Sequence, residues 1–136
     1  MRRERPSAET QNRLLNEWEN RCAYCRLPFG LLVWRRRLGY HDRRGYYHPS
    51  TSGIALQLTW DHFIPFSYSA SNRQEWFLPA CHACNGIKSD SMFRTIEGAR
   101  DFIEPRWLAR YELACGPVIS WQAAVEIELA DYEAAL

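Results

Sequence analysis

Apolar positions recur at helical spacing soon after the N-terminus, where Leu14, Leu15 and Trp18 share one face of the stretch following Ser7. Ser7 suits an N-cap and Glu9 puts a carboxylate in the first turn, so the pattern predicts a helix from there to about Glu19. Residues 31–34 read as a short strand. Residues 35–53 are basic, aromatic and rich in turn formers, which fits a long loop or an irregular hairpin. Residues 54–60 alternate apolar and polar and predict a strand running into Asp61-His62, with residues 76–78 as its short partner. A helix is expected to begin near Cys84 and run through Met92 and Phe93. Another spans about residues 96–114, with Pro105 either kinking it or opening a new first turn. Ser120 caps a last helix whose Trp121, Ala124, Val125 and Tyr132 share a face. Helix, strands, then helices, with no repeat or linker between them, predict an α+β fold with little sheet.

Composition narrows this further. A chain of 136 residues suits a single domain able to bury a core, and 46% hydrophobic with 24% charged residues is that of a folded protein. No apolar run approaches the roughly 20 residues of a membrane span. The opening MRRERPSAET lacks the apolar centre of a signal peptide. The expected setting is therefore a reducing, intracellular compartment, the cytoplasm, with no membrane association. A net charge of only +1 hides an asymmetry. Residues 1–60 carry eleven Lys/Arg against five Asp/Glu, while residues 61–136 carry six against eleven. One basic half can face a polyanion, or the two halves are simply unequal solvated surfaces.

The cysteines change the picture most. Cys22-x-x-Cys25 and Cys81-x-x-Cys84 are two pairs of equal spacing, leaving only Cys115 over. In a reducing compartment one tetrahedral Zn²⁺ explains four thiols in this pattern better than disulfides do. Buried thiols or a redox pair are the alternatives. Four sulfurs close the coordination shell, so such a metal holds structure and does not catalyse. Cys115 reads as a small core residue on a helix.

The second chemical signal is TWDHFIP, residues 59–65, in which Asp61 and His62 end an apolar run just before Pro65. Asn85 follows the last cysteine of the second pair directly. A strand ending in Asp-His, a loop, a second strand and a helix opening with Asn would gather Asp61, His62 and Asn85. A carboxylate and an amide oxygen are hard ligands suited to Mg²⁺ or Mn²⁺, and an imidazole beside them suits a general base. With a basic surface nearby, the ingredients fit phosphodiester hydrolysis.

In Cys22-x-x-Cys25, Asp61-His62 with Ile64-Pro65, and PACHACNGIK with Cys81, Cys84, Asn85 and Lys88, the chain closely resembles the HNH endonuclease family. That family has a ββα-metal fold with a four-cysteine zinc site. The resemblance covers about residues 13–95. It implies a zinc-stabilised ββα-metal core flanked by N-terminal and C-terminal helices. It also implies that His62 is the general base activating water, and that Asp61 and Asn85 ligate the catalytic Mg²⁺ or Mn²⁺ stabilising the scissile phosphate of DNA. Lys88, one turn beyond Asn85, either faces phosphate or is a solvated helix lysine. The chain departs from the pattern at Trp76, where the family carries a central Asn that fixes the loop of the catalytic His. Asn72 is a candidate substitute from a shifted position.

The segment between Cys25 and Asp61 is longer than is usual for the family and adds a basic insertion at about residues 35–53. In it Arg35, Arg36, Arg37, Arg43 and Arg44 can grip phosphates while Tyr40, Tyr46 and Tyr47 stack on bases or sugars, or the stretch is a solvated loop packed on its tyrosines. His41 and His48 are weaker metal candidates, and His82 orients the cysteine turn or contacts phosphate. Trp107 and Trp121 belong to the core. A C-terminal helical extension follows from about residue 96. The expected function is a divalent-metal-dependent endonuclease acting on DNA. The alternative is a zinc-stabilised nucleic-acid-binding or interaction module without catalysis.

Overall fold

A computed structural model of the chain describes residues 5–36, 40–48, 53–63 and 76–135, which form a mixed α+β arrangement of small antiparallel sheets and helices. The first helix, α1, spans Ala8–Glu17, and Ser7 caps it by accepting a hydrogen bond from the Thr10 amide at 3.2 Å. It stops where Glu19 and Asn20 both adopt positive φ, which turns the chain into the first cysteine pair.

Strand β1 (Leu32–Arg35) lies at the centre of a three-stranded sheet between β4 (Gly53–Ala55) and β7 (Tyr111–Glu112). The basic segment between β1 and β4 contains a small hairpin, β2 (Tyr40–His41) paired with β3 (Tyr47–His48). Asp42 closes its turn, accepting from the Arg44 and Tyr46 amides at 2.9 and 3.0 Å, with Gly45 at φ 84°. Among the described residues of this segment, 40–48 form that hairpin.

The unit that positions the site is strand–strand–helix. β5 (Leu58–His62) pairs antiparallel with β6 (Phe77–Cys81), and α2 (His82–Lys88) starts directly from β6 and packs back onto both strands. Helix α3 (Ile96–Arg110) lies against α2, and α4 (Trp121–Ala135) is capped by Ser120, whose hydroxyl accepts from the Ala123 amide at 3.0 Å. The core joins Tyr24, Leu27, Val33, Leu56, Ile103, Trp107 and Trp121 to the four paired cysteines. No helix among the described residues is long and apolar enough to cross a membrane.

Four local expectations are corrected. The strand foreseen over residues 54–60 is two strands in different sheets, because Leu56 is drawn into the core and Gln57 bonds the start of α2. Helix α2 ends at Lys88 rather than passing Met92 and Phe93, since Ser89 takes φ 51° and the following Asp90-Ser91 favours turns. Helix α3 contains Pro105 and stops at Arg110, short of Ala114, because Tyr111 extends to pair with Arg35. Cys115 is accordingly an exposed turn residue beside Gly116, not a helical core residue.

Candidate functional site

Two local structures bring the cysteines together. The first pair sits on a turn closed by an Arg21–Pro28 bridge, in which the Arg26 amide donates to the Cys22 carbonyl at 3.0 Å and Arg26 takes φ 65°. The second pair spans the β6–α2 junction, where Cys81 is the N-cap and its sulfur accepts from the Cys84 amide at 3.4 Å. The Ala23 amide donates to the Pro79 carbonyl at 2.8 Å and so stitches one turn to the other. All four sulfurs lie within 4.8 Å of one another, with Cys25 and Cys81 at 4.0 Å. A tetrahedral ion with metal–sulfur bonds of about 2.3 Å requires sulfur separations of roughly 3.8 Å. The group therefore has the dimensions of a four-thiolate metal site.

Its electrostatics point the same way. Burial pushes Cys25 and Cys84 well above the ordinary thiol range, and hydrogen bonding with Cys22 and Cys81 adds to this. At Cys22 the burial cost is outweighed by hydrogen bonds from Cys25, Cys81 and Cys84, which hold it well below that range. Without a cation, several negative charges buried so close together are prohibitive. A divalent ion reverses that balance, and four cysteines so close can hold a structural metal such as zinc.

The residues expected to gather beside this cluster do so only in part. Thr59 and Asp61 point to one face of β5, as alternate residues of a strand must. Helix α2 lays Asn85 against the first, its Nδ2 donating to Thr59 Oγ1 at 3.1 Å, and Lys88 against the second. Thr59 in turn donates to the Ala80 carbonyl at 2.7 Å, a chain that fixes which end of the Asn85 amide faces the strand. The Asp61 carboxylate accepts from the Tyr24 hydroxyl and faces Lys88 Nζ at 3.4 and 3.5 Å from its two oxygens. His62 lies toward the other face, its ring 4.4 Å from Phe77 and edge-on to it, while its carbonyl faces Lys88 Nζ at 3.5 Å. Asp61 and His62 are each 1% exposed and Lys88 is 0% exposed.

Lys88 is not the solvated helix lysine of one reading: it is buried against Asp61. Its ammonium neutralises a buried carboxylate, since the pair satisfies each other where water cannot. Removing one partner strands the other charge. Lys88→Met should therefore destabilise the zinc-loaded protein by about 3–5 kcal/mol. Urea unfolding followed by circular dichroism checks this, and a loss below about 1 kcal/mol would mean that the pair contributes little.

Trp76 occupies the position of the expected central Asn, and its carbonyl accepts from the Phe63 amide at 2.7 Å. The backbone thus ties the end of β5 without an asparagine side chain there. Ile64, Pro65 and Asn72 lie outside the described residues, as does Arg37. Arg35 ends β1, where its charge lowers the pKa of His82 after burial has done so. Arg36 is committed internally, donating to the Leu108 carbonyl at 2.8 Å and sitting 3.9 Å from Glu112.

Arg43 and Arg44 are exposed at the tip of the hairpin, with Tyr46 at 67% and Tyr47 at 52% exposure beside them. Tyr46 and Tyr47 therefore do not pack beneath the segment. His41 and His48 serve the hairpin: His41 Nδ1 lies 3.2 Å from the Gly45 carbonyl, and His48 Nε2 lies 2.9 Å from Asp42. If this tip meets phosphates, replacing Arg43 and Arg44 with Ala should weaken DNA binding and reduce the slope of log K against log salt by about 1.8, the loss of two contacts. Anisotropy titrations across a salt series measure it, and an unchanged slope identifies the tip as ordinary surface.

Tyr24 and Gln57 were not anticipated. Gln57 donates its amide to His82 Nδ1 at 3.0 Å and accepts from the His82 amide at 2.9 Å, which anchors the start of α2. These bonds hold His82 at the cysteine turn. An aromatic residue inside a cysteine turn was the available signal for Tyr24, but it does not say what the hydroxyl meets. No family model matches this chain, and neither the curated proteins nor the solved structures give a match.

Proposed function

We propose that this protein is a divalent-metal-dependent endonuclease of the HNH type, hydrolysing phosphodiester bonds in DNA on a zinc-stabilised ββα-metal core. The observation that carries the reading is the strand–strand–helix unit leaving the cysteine cluster. It lays Asn85 and Lys88 over Thr59 and Asp61, so the Asn85 and Asp61 side chains serve one face of β5. Cys22, Cys25, Cys81 and Cys84 hold the structural Zn²⁺. Asp61 and Asn85 are the ligands for Mg²⁺ or Mn²⁺, and the donor set fits: a carboxylate, plus an amide whose nitrogen is already committed to Thr59. Such an ion, when bound, supplies charge stabilisation to the scissile phosphate and the departing 3′ oxygen. Lys88 meanwhile keeps a positive charge against Asp61.

In this reading His62 takes the proton from the attacking water. The exposed Arg43, Arg44, Tyr46 and Tyr47 give the DNA a basic and aromatic surface to meet. The test is supercoiled plasmid incubated with zinc-replete protein. Nicked or linear product should form when Mg²⁺ or Mn²⁺ is added, stop on chelation and carry 5′ phosphates.

The engagement of Asp61 by both Tyr24 and Lys88, together with Trp76 at the central position, favours a second reading. This is a zinc-stabilised nucleic-acid-binding module that kept the fold without catalysis. DNA binding with no cleavage under either ion selects it.

A further inference from the structure

We propose that Tyr24 is a positioning residue that makes the cation affinity of Asp61 depend on the cysteine turn. The proposal rests on the reading of Asp61 as a ligand of the divalent cation. Tyr24 directly precedes Cys25 and is fully buried, and its amide donates to Cys22 Sγ at 3.4 Å, so its backbone belongs to the metal turn. Its hydroxyl spans from that turn to Asp61 Oδ2 on β5. A phenol is a donor at neutral pH, so this hydroxyl gives its hydrogen to the carboxylate.

The carboxylate is thus oriented from two directions. Tyr24 reaches it from the first cysteine turn, and Lys88 reaches it from the helix that carries Cys84. The ion that the four sulfurs can hold would join these two segments. Outer hydrogen bonds of this kind set the direction of a ligand's lone pairs, and their loss typically costs about 10–100-fold in metal affinity. A carboxylate has about four lone-pair directions; Tyr24 and Lys88 take part of them, and a cation bound by Asp61 would take what remains.

Tyr24→Phe removes the hydroxyl and keeps the ring. The full-length zinc-replete variant is titrated with Mn²⁺ alone, free Mn²⁺ being read by electron paramagnetic resonance, with zinc content and thermal midpoint measured on the same sample. Zinc should remain at the wild-type level while the Mn²⁺ dissociation constant rises about tenfold or more. Repeating the change in an Asp61→Asn background should add nothing, because the hydroxyl acts through that carboxylate. If Asp61→Asn weakens Mn²⁺ binding and Tyr24→Phe does not, Tyr24 has no positioning role and the site assignment stands. If Asp61→Asn leaves Mn²⁺ binding unchanged, the cation-site reading falls and takes this proposal with it.

Discussion

Cys81→Ser is expected to yield a chain that neither retains zinc nor folds at 25 °C. Cys81 belongs to both the metal group and the packed core, where it joins Tyr24, Leu27, Val33, Leu56, Trp107 and Trp121. It also caps α2, and its sulfur accepts from the Cys84 amide. A structural zinc contributes on the order of 10 kcal/mol or more, whereas a domain of this kind has a net stability of only about 5–15 kcal/mol. Losing one of four thiolates therefore removes a share comparable to the whole margin. Metal analysis should find zinc well below one ion per chain in the variant, and far-ultraviolet circular dichroism should lack a cooperative transition. Cys115→Ser is the control: an exposed turn cysteine outside the cluster should change neither property. A Cys81→Ser protein melting at the wild-type temperature would mean that the sulfurs hold no structural ion.

Why the cysteine pairs were readable from the sequence, and the carboxylate's partners were not, follows from the range of the interactions. A CxxC turn fixes its geometry over four residues, and the helix caps at Ser7 and Ser120 are settled within one turn, so local pattern suffices. The strand–strand–helix order was legible for the same reason, because the second cysteine pair opens the helix. The break at Leu56 was not. It depends on which core that side chain joins, and on His82, 25 residues from Gln57, bonding the peptide that follows. The partner of Lys88 was not legible either, because its spacing from Asn85 gives a helix face but not what covers that face. Asp61, 27 residues away, settles the matter by ion pairing. The Tyr24 hydroxyl meets its acceptor across 37 residues, a distance at which spacing carries no information.

His62→Ala should abolish cleavage while sparing zinc content, fold and DNA affinity. The side chain sits at the end of β5 against Phe77, away from the cysteine group, so truncating it leaves the metal turn and the Asp61–Lys88 pair in place. Loss of a general base typically costs about 10²–10⁴ in rate. The measurement is a time course on supercoiled DNA at saturating Mn²⁺, run on zinc-replete wild type and His62→Ala after circular dichroism and anisotropy have matched their folding and binding. The account predicts nicking by the wild type and a rate at least about a hundredfold lower in the variant. Equal rates, or a wild type that cuts with neither Mg²⁺ nor Mn²⁺, would contradict it.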